Sequence, residues 1–501
     1  MPGSKHKVAF GDFQTPIDLA REVCSAVART GLRPRSILEP TCGTGSLLLA
    51  ALDEFPSARA AVGLDINQQY VREARDALTG SPNRSKVRLL AANFFDTAWE
   101  KILRSLPDPL LVIGNLPWVT SAVLGSLGSR NLPTKSNFQK HRGLDAITGK
   151  SNFDISEWMM LRILDWLSGR QATLALLCKT AVARKVLAHA WRAHAPLASS
   201  ATYIIPAFLH FGAAVDACLL VCAFVPGAHS SDCAVYEALA SRAPASRIGL
   251  RNNQLIANIE LYERWKHLEG RERRKWRSGI KHDCAQVLEL TKEDSHYRNR
   301  AGEIVDIEDT YVYPMLKSSD LANGKVACPR RWMLVPQRSI GESTASIKHV
   351  APKTWAYLTR NKALFARRAS SIYEGRPPFS IFGVGEYSFS PWKVAISGFY
   401  KHLSFKVVGP FVSRPVVLDD TSYFLPCKTR HEAEYLAGLL NSETARGFYE
   451  AFVFWDSKRP VTVDLLRRLD LLALASALGR ASFAARLFSD GKATQAELAL
   501  N

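Results

Sequence analysis

The chain lacks any apolar run long enough to span a bilayer. Its most hydrophobic stretches, near Leu174 and Leu219, are interrupted by Lys179, Arg184 and Asp216, whereas a spanning helix needs about 20 predominantly apolar residues. Metal-type clustering is missing too. The 9 cysteines are scattered, Cys218 and Cys222 are the only close pair, and no Cys or His partner stands near them at zinc-like spacing, so no metal is expected. Residues 1–14 hold no apolar signal-peptide core, and scattered thiols without such a signal suit a reducing compartment. These absences lead us to expect a cytoplasmic protein with no membrane partner.

Negative charge is also scarce. Against 65 Lys+Arg there are 46 Asp+Glu, leaving +19. Such an excess attracts polyanions through Coulomb steering and counterion release, although solubility, ribosomal or membrane-surface roles fit the same balance. With 501 residues and 47% hydrophobic content, the chain is long enough for two or three domains with substantial cores.

The first half alternates short apolar runs with amphipathic stretches. Strands are expected at residues 36–38, 60–64, 87–90, 110–113, 174–177 and 218–224, and helices at 46–52, 68–78 and 155–167. That alternation implies an α/β fold, a mostly parallel sheet with helices on both faces. The Pro/Gly/Ser-rich segment VPGAHSSDC at residues 225–233 breaks the pattern, which gives an expected first domain of residues 1–228 and a second of 235–501. In the second, residues 262–282 interleave Arg and Lys with Trp265 and Trp276, residues 379–400 form short aromatic runs suited to strands, and the end reads as helical. The basic run fits either a solvated face or a nucleic-acid surface.

Residues 36–46 read SILEPTCGTGS: an apolar strand, an acid, then Gly43 and Gly45, where the chain turns sharply and brings backbone close to a ligand. The third glycine of the dinucleotide fingerprint is missing, which argues against NAD. Asp65 ends the next strand and Asp96 follows the one after, so Glu39, Asp65 and Asp96 would line one crevice. Each acid alone is as readily a helix cap. Together they resemble the motif series of class I S-adenosylmethionine-dependent methyltransferases. That resemblance places Glu39 and Gly43 near the methionine part of S-adenosyl-L-methionine, Asp65 on the ribose hydroxyls and Asp96 on the adenine amine, with Gly45 in the same cofactor-binding turn. Upstream, residues 11–16 (GDFQTP) resemble the N-terminal cofactor motif of the gamma class of DNA amino-methyltransferases, with Thr15 and Pro16 closing over the methionine end.

After the strand at 110–113 comes Gly114-Asn115-Leu116-Pro117-Trp118. An exocyclic amine on adenine is a weak nucleophile because its lone pair is delocalised. The Asn115 side-chain oxygen and the Leu116 carbonyl are a suitable acceptor pair for its two protons. Pro117 stiffens the turn, and Trp118 offers a stacking face for a base extruded from the duplex. The segment resembles the family's Asn-Pro-Pro-aromatic motif, with Leu116 in place of the first proline. That change spares the main-chain carbonyl but removes some rigidity. The family carries a second clamping aromatic further on, which implies Phe211, with Phe208 as the rival and a plain core role open to either. Lys135, Lys140, His141, Arg142 and Lys150 gather around a loop expected over the substrate at residues 145–154 and suit phosphate contacts or simple solvation.

The resemblance covers about residues 8–225 and implies a DNA methyltransferase acting on adenine N6 in a specific double-stranded sequence. It would be the modification half of a restriction–modification system whose cognate endonuclease is a separate chain. RNA or protein-glutamine amino-methyltransferases share the four-residue motif, and a non-catalytic nucleic-acid-binding protein is the third class. The large basic, aromatic second half favours a mixed α/β domain that reads DNA sequence. Asp306, Glu308 and Lys317 make a poor nuclease pattern and read as scattered surface charges.

Overall fold

The computed structural model describes residues 13–119, 154–272, 274–294 and 296–481. Residues 11 and 12 of the upstream motif, the five cations from Lys135 to Lys150 and the loop up to residue 153 lie outside them. Two compact units are present, Met1–Glu260 and Leu261–Asn501.

The first unit is built on one ten-stranded sheet. Its strands are β1 (Ser36–Glu39), β2 (Ala60–Asp65), β3 (Val87–Ala91), β4 (Leu110–Asn115), β5 (Ala172–Lys179), β6 (Leu197–Ile205), β7 (Ala217–Phe224), β8 (Asp232–Tyr236), β9 (Ser246–Arg251) and β10 (Gln254–Ile256). They lie in the order β10-β9-β8-β6-β7-β5-β4-β1-β2-β3. The run β3-β2-β1-β4-β5 is parallel throughout, while β7 is antiparallel to both of its neighbours, β5 and β6.

Every expected strand and helix in this half is present with its ends within two residues, because strands buried on two faces read as unbroken apolar runs. In β1 all four residues are buried, and in β4 the first five. Successive side chains go to opposite faces. Leu111 and Ile113 join a core with helices α1 (Ile17–Ala28) and α2 (Ser46–Glu54), and Leu110 and Val112 therefore point to the other side. Further helices are α3 (Gln68–Ala77), α4 (Trp99–Arg104), α5 (Ile155–Leu167), α6 (Thr180–Arg192) and the short α7 (Ala207–Phe211). Helices α1, α4, α6 and α7 and strands β6 and β8–β10 are not expected from the sequence; in β6 (LASSATYII) the Ser and Thr positions interrupt the apolar pattern. Among the described residues no helix is long and apolar enough to cross a membrane.

The first unit runs beyond the end expected at residue 228. The Pro/Gly/Ser-rich segment is a connection inside the sheet: β8 pairs with β6 in parallel, β9 with β8 and β10 with β9 antiparallel. A break in composition marks a surface loop, and a loop between two strands of one sheet looks the same in sequence as a loop between domains.

The second unit is mixed α/β. Strands β12 (Glu289–Glu293), β13 (His296–Asn299), β14 (Ile304–Val305), β15 (Val312–Leu316), β16 (Arg331–Leu334) and β19 (Val417–Leu418) form one sheet. Strands β11 (Arg277–Ser278), β17 (Trp392–Ser397), β18 (Lys406–Val408) and β20 (Ser422–Cys427) form another. Helices at Arg430–Leu440, Glu443–Glu450 and Leu471–Ala477 follow. The aromatics of the basic run are largely structural, since Tyr262 and Trp276 are buried and Trp276 packs on Phe405. Asp306 pairs with Lys353, Glu308 accepts from the Thr354 N–H and hydroxyl, and Lys317 pairs with buried Glu289.

The extension of the sheet predicts how the first unit tolerates shortening. A chain ending at residue 228 loses β8–β10 and bares the edge of β6, so it is expected to aggregate and unfold without a cooperative transition. One ending at Glu260 is expected to melt cooperatively. Size-exclusion chromatography and thermal unfolding compare them, and a well-behaved 228-residue chain would remove β8–β10 from the folding unit.

Candidate active site

The order of strands reverses between β1 and β4, so the loops leaving their carboxyl ends diverge and open a crevice there. Between β1 and α2 the chain makes a tight turn. The Cys42 N–H donates to the Leu64 carbonyl at 2.8 Å and the Gly45 N–H to the Cys42 carbonyl at 2.7 Å. Gly43 has φ +49°, and a Cβ there would sit 2.4 Å from Gln14 Oε1, which already accepts the Thr44 N–H at 3.1 Å. The left-handed φ favours glycine here, and any side chain would displace the Gln14 amide from the Thr44 N–H. Gly45, at φ +87°, caps α2.

Asp65 holds this turn together. Its Oδ2 accepts the Gly43 N–H at 2.9 Å and its Oδ1 the Asn67 N–H at 2.8 Å, which fixes the carboxylate at the mouth of the crevice. Glu39 is 2% exposed, and its Oε2 has no hydrogen-bond partner. Burial pushes the Glu39 carboxyl well above the ordinary carboxylate range; the Leu48 N–H opposes the shift and the Asp65 charge adds to it.

A pocket of about 400 Å³ occupies the crevice, within the size range of small-molecule sites. Of the expected residues it is lined by Thr15, Glu39, Gly43, Asp65, Asn115 and Pro117. The others stand elsewhere. Pro16 is exposed at the start of α1, and Gly45 serves the turn. Asp96 is exposed and accepts from the Asn93 amide at 3.0 Å, so it does not line the pocket. An acid five residues past the end of β3 falls in the turn that Asn93 organises by accepting the Phe95 N–H. The wall on that side is instead Phe94 and Phe95, with Ile66, Tyr70 and Met159 completing an apolar surface. The two phenylalanines stand in the same NFFD segment as Asp96, and their being paired aromatics just after a strand is the signal that an emphasis on acids overlooks.

Asn115 ends β4, and its Nδ2 donates to the Phe13 carbonyl at 2.9 Å and to Thr15 Oγ1 at 3.4 Å. These two acceptors fix the amide's orientation and leave Oδ1 buried without a partner. Leu116, which stands where the family motif has its first proline, is buried. Trp118 is 6% exposed, donates its indole N–H to the Leu177 carbonyl at 3.4 Å, and packs against Phe13 at 5.7 Å and edge-on against Phe211 at 5.1 Å. The two aromatics expected to sandwich a base touch each other, and neither lines the pocket. Phe208, the rival to Phe211, points into solvent.

The sequence reading also misses the clamp beneath this loop. Lys179 Nζ, at the end of β5, donates to the Trp118 carbonyl at 3.0 Å and pairs with Asp154 at 2.6 Å, while the Ile155 N–H donates to the Val119 carbonyl at 2.9 Å. Asp154 in turn caps α5 by accepting the Ser156 N–H. Lys179 registered in the sequence merely as a break in an apolar run.

A carboxylate at each of two adjacent strand ends, a tight glycine turn, and an apolar wall suit a nucleoside that carries an amino-acid tail. The buried, unpartnered oxygen of Glu39 awaits a donor, so the pocket fits S-adenosylmethionine. Fold and site together define a class I S-adenosylmethionine-dependent methyltransferase. Over 475 residues, 95% of this chain and 98% of the other, the chain is 45% identical to the Type II methyltransferase M.NspV of Nostoc sp.. It belongs to the Type II methyltransferase family. No protein-family model matches the chain. Among solved structures, the Type IIL restriction–modification enzyme MmeI in complex with DNA shares the fold at a TM-score of 0.51 and 12% identity, covering 92% of this chain and 65% of that one. A putative class I methyltransferase from Listeria monocytogenes aligns with 48% of this chain and 70% of its own at a TM-score of 0.33 and 16% identity.

Two expectations follow from the site. The cofactor is a cation at its methionine end, where the resemblance puts Glu39, and ionised Glu39 attracts a cation. Affinity for S-adenosylmethionine is expected to rise with pH through the elevated titration range of Glu39 and then level off, with Glu39→Gln weaker and flat across that range by calorimetry. A wild-type affinity that does not respond to pH would remove Glu39 from the charge interaction. Replacing Lys179 by Met leaves Asp154 buried and unpaired, which costs about 3 kcal/mol when a buried pair is broken. Thermal unfolding is expected to show that loss, and an unchanged transition would make the clamp dispensable.

Proposed function

We propose that the chain methylates the exocyclic N6 of adenine in a specific double-stranded DNA sequence, as the modification enzyme of a restriction–modification system whose endonuclease is a separate polypeptide. Asn115 carries this reading: its amide nitrogen is spent on Phe13 and Thr15, so its buried oxygen faces the task of accepting a proton from an amine. Bound S-adenosylmethionine supplies a methyl group made electrophilic by its sulfonium. Asn115 Oδ1 and the Leu116 carbonyl hold the two amine protons, which draws the nitrogen lone pair out of conjugation and aims it. Pro117 limits the backbone freedom of that acceptor pair. Thr15, Glu39, Gly43 and Asp65 hold the cofactor, while Trp118 and Phe211 part to receive the extruded base between them. The Type II family of the relative and the +19 charge favour DNA over RNA or a glutamine side chain. The second unit, with its mixed sheets and basic surface, reads the sequence.

The test is base-resolved modification mapping of DNA from a host that expresses the protein. Methyl groups at adenine N6 in one short sequence are expected; methyl groups on cytosine, or on no DNA base, would overturn the proposal. Asn115→Ala is expected to abolish these marks, a loss of at least about 100-fold in turnover for a removed electrostatic stabiliser. Binding of S-adenosylhomocysteine by calorimetry is expected to stay close to wild type, and near-normal methylation would sink the assigned role.

A further inference from the structure

Exposed apolar side chains are concentrated beside the catalytic loop. Of 13 large hydrophobic residues exposed among the described residues, Ile204, Phe208, Leu209 and Val215 fall within twelve consecutive positions, and Phe208 and Leu209 are the two most exposed, at 74% and 77%. Phe208 and Leu209 stand on α7, whose other side packs inward. Ala207 is buried, and Phe211 packs edge-on against Trp118 and at 6.0 Å against Phe13, which lines the same pocket as Asn115. Gly212, in a left-handed conformation at φ +64°, ends the helix by donating to the Phe208 carbonyl at 2.9 Å. Along residues 204–216 there is no Lys or Arg, and only His210 and Asp216 carry titratable side chains, so this tip is not built to grip phosphates. Its surface is apolar, bulky and next to the residues that would receive an extruded base.

We infer that Phe208 and Leu209 form a wedge that enters the duplex and fills the space left by the target base. The inference rests on the DNA-adenine reading above. Pulling a base from the stack removes its contacts with the neighbouring pairs, and apolar side chains inserted between base steps restore part of them. The occupant of this surface is therefore the base stack of duplex DNA, brought to a +19 chain by its phosphates. A second copy of the chain is the competing occupant, and it would be held by the same side chains without any dependence on base pairing.

The test uses the full chain, S-adenosylmethionine, and a duplex carrying the methylation sequence found by mapping. A matched duplex differs in having an abasic site opposite the target adenine. Phe208 and Leu209 are solvent-exposed, so Phe208→Ser/Leu209→Ser leaves the core intact. The double variant is expected to methylate the paired duplex about tenfold more slowly or worse, in keeping with the cost of extruding a paired base. On the abasic-opposed duplex, where extrusion is already easy, it is expected to run within about threefold of wild type. In the paired duplex with 2-aminopurine at the target, the fluorescence rise given by wild type is expected to shrink. Equal loss on the two duplexes, or no loss on the paired one, overturns the wedge while leaving the methylation reading standing. A dimer in wild type that dissociates in the variant assigns the surface to a second copy and overturns the wedge as well. A wild-type protein that methylates no adenine in either duplex fails at the underlying reading and takes the wedge with it.

Discussion

Strand polarity is the constraint on which the rest of the first unit depends. Because β3, β2, β1, β4 and β5 all run parallel, the chain must leave each of them at the same edge, and every residue just past a strand end is delivered there. Glu39, Asp65, Phe94 and Asn115 come from four strands far apart in sequence and meet in one pocket for this reason. The reversal of strand order between β1 and β4 supplies the gap in which they meet. The segment ahead of α1 then closes the site from outside, since the Phe13 carbonyl and the Thr15 hydroxyl bind an amide about a hundred residues away.

What could be read from the sequence follows from how each residue is used. The buried strands announce themselves because two covered faces demand apolar side chains at every position. The glycine turn is legible because Gly43 takes a left-handed conformation that glycine adopts most readily. Asp96 misled because the sequence shows an acid near a strand end without showing where the turn points it, and the neighbouring Asn93 side chain decides that. Trp118 is ambiguous in principle: an aromatic after a proline is written identically whether it faces a ligand or the core. Lys179 and Asp154 are 25 residues apart in the chain, on two elements that are neighbours only in the folded sheet, so no local pattern reveals their pairing.

The site carries two buried acceptors without donors, Glu39 Oε2 and Asn115 Oδ1. An unsatisfied buried polar group costs about 1–3 kcal/mol, so a structure that keeps two of them in one pocket sets aside stability there. The raised carboxyl of Glu39 expresses the same cost in another form, as reluctance to hold a charge without a partner. Binding a ligand with matching donors returns that free energy as affinity. The clamp on Trp118 and Val119 acts in the opposite sense: Lys179 and the Ile155 N–H supply donors to the carbonyls of both residues, so this stretch carries no such cost.

A ten-stranded sheet must end somewhere, and each end is a row of backbone groups able to recruit a stranger. Here one end is β10, three residues long. The other is β3, where Arg88 and Ala91 are exposed and none of the remaining positions is fully buried. A short edge and a charged edge both resist strand-to-strand association. A protein that concentrates along a polyanion brings many of its own copies close together, where a long bare edge would seed aggregates. Blunted edges of this kind let the molecule crowd without sticking.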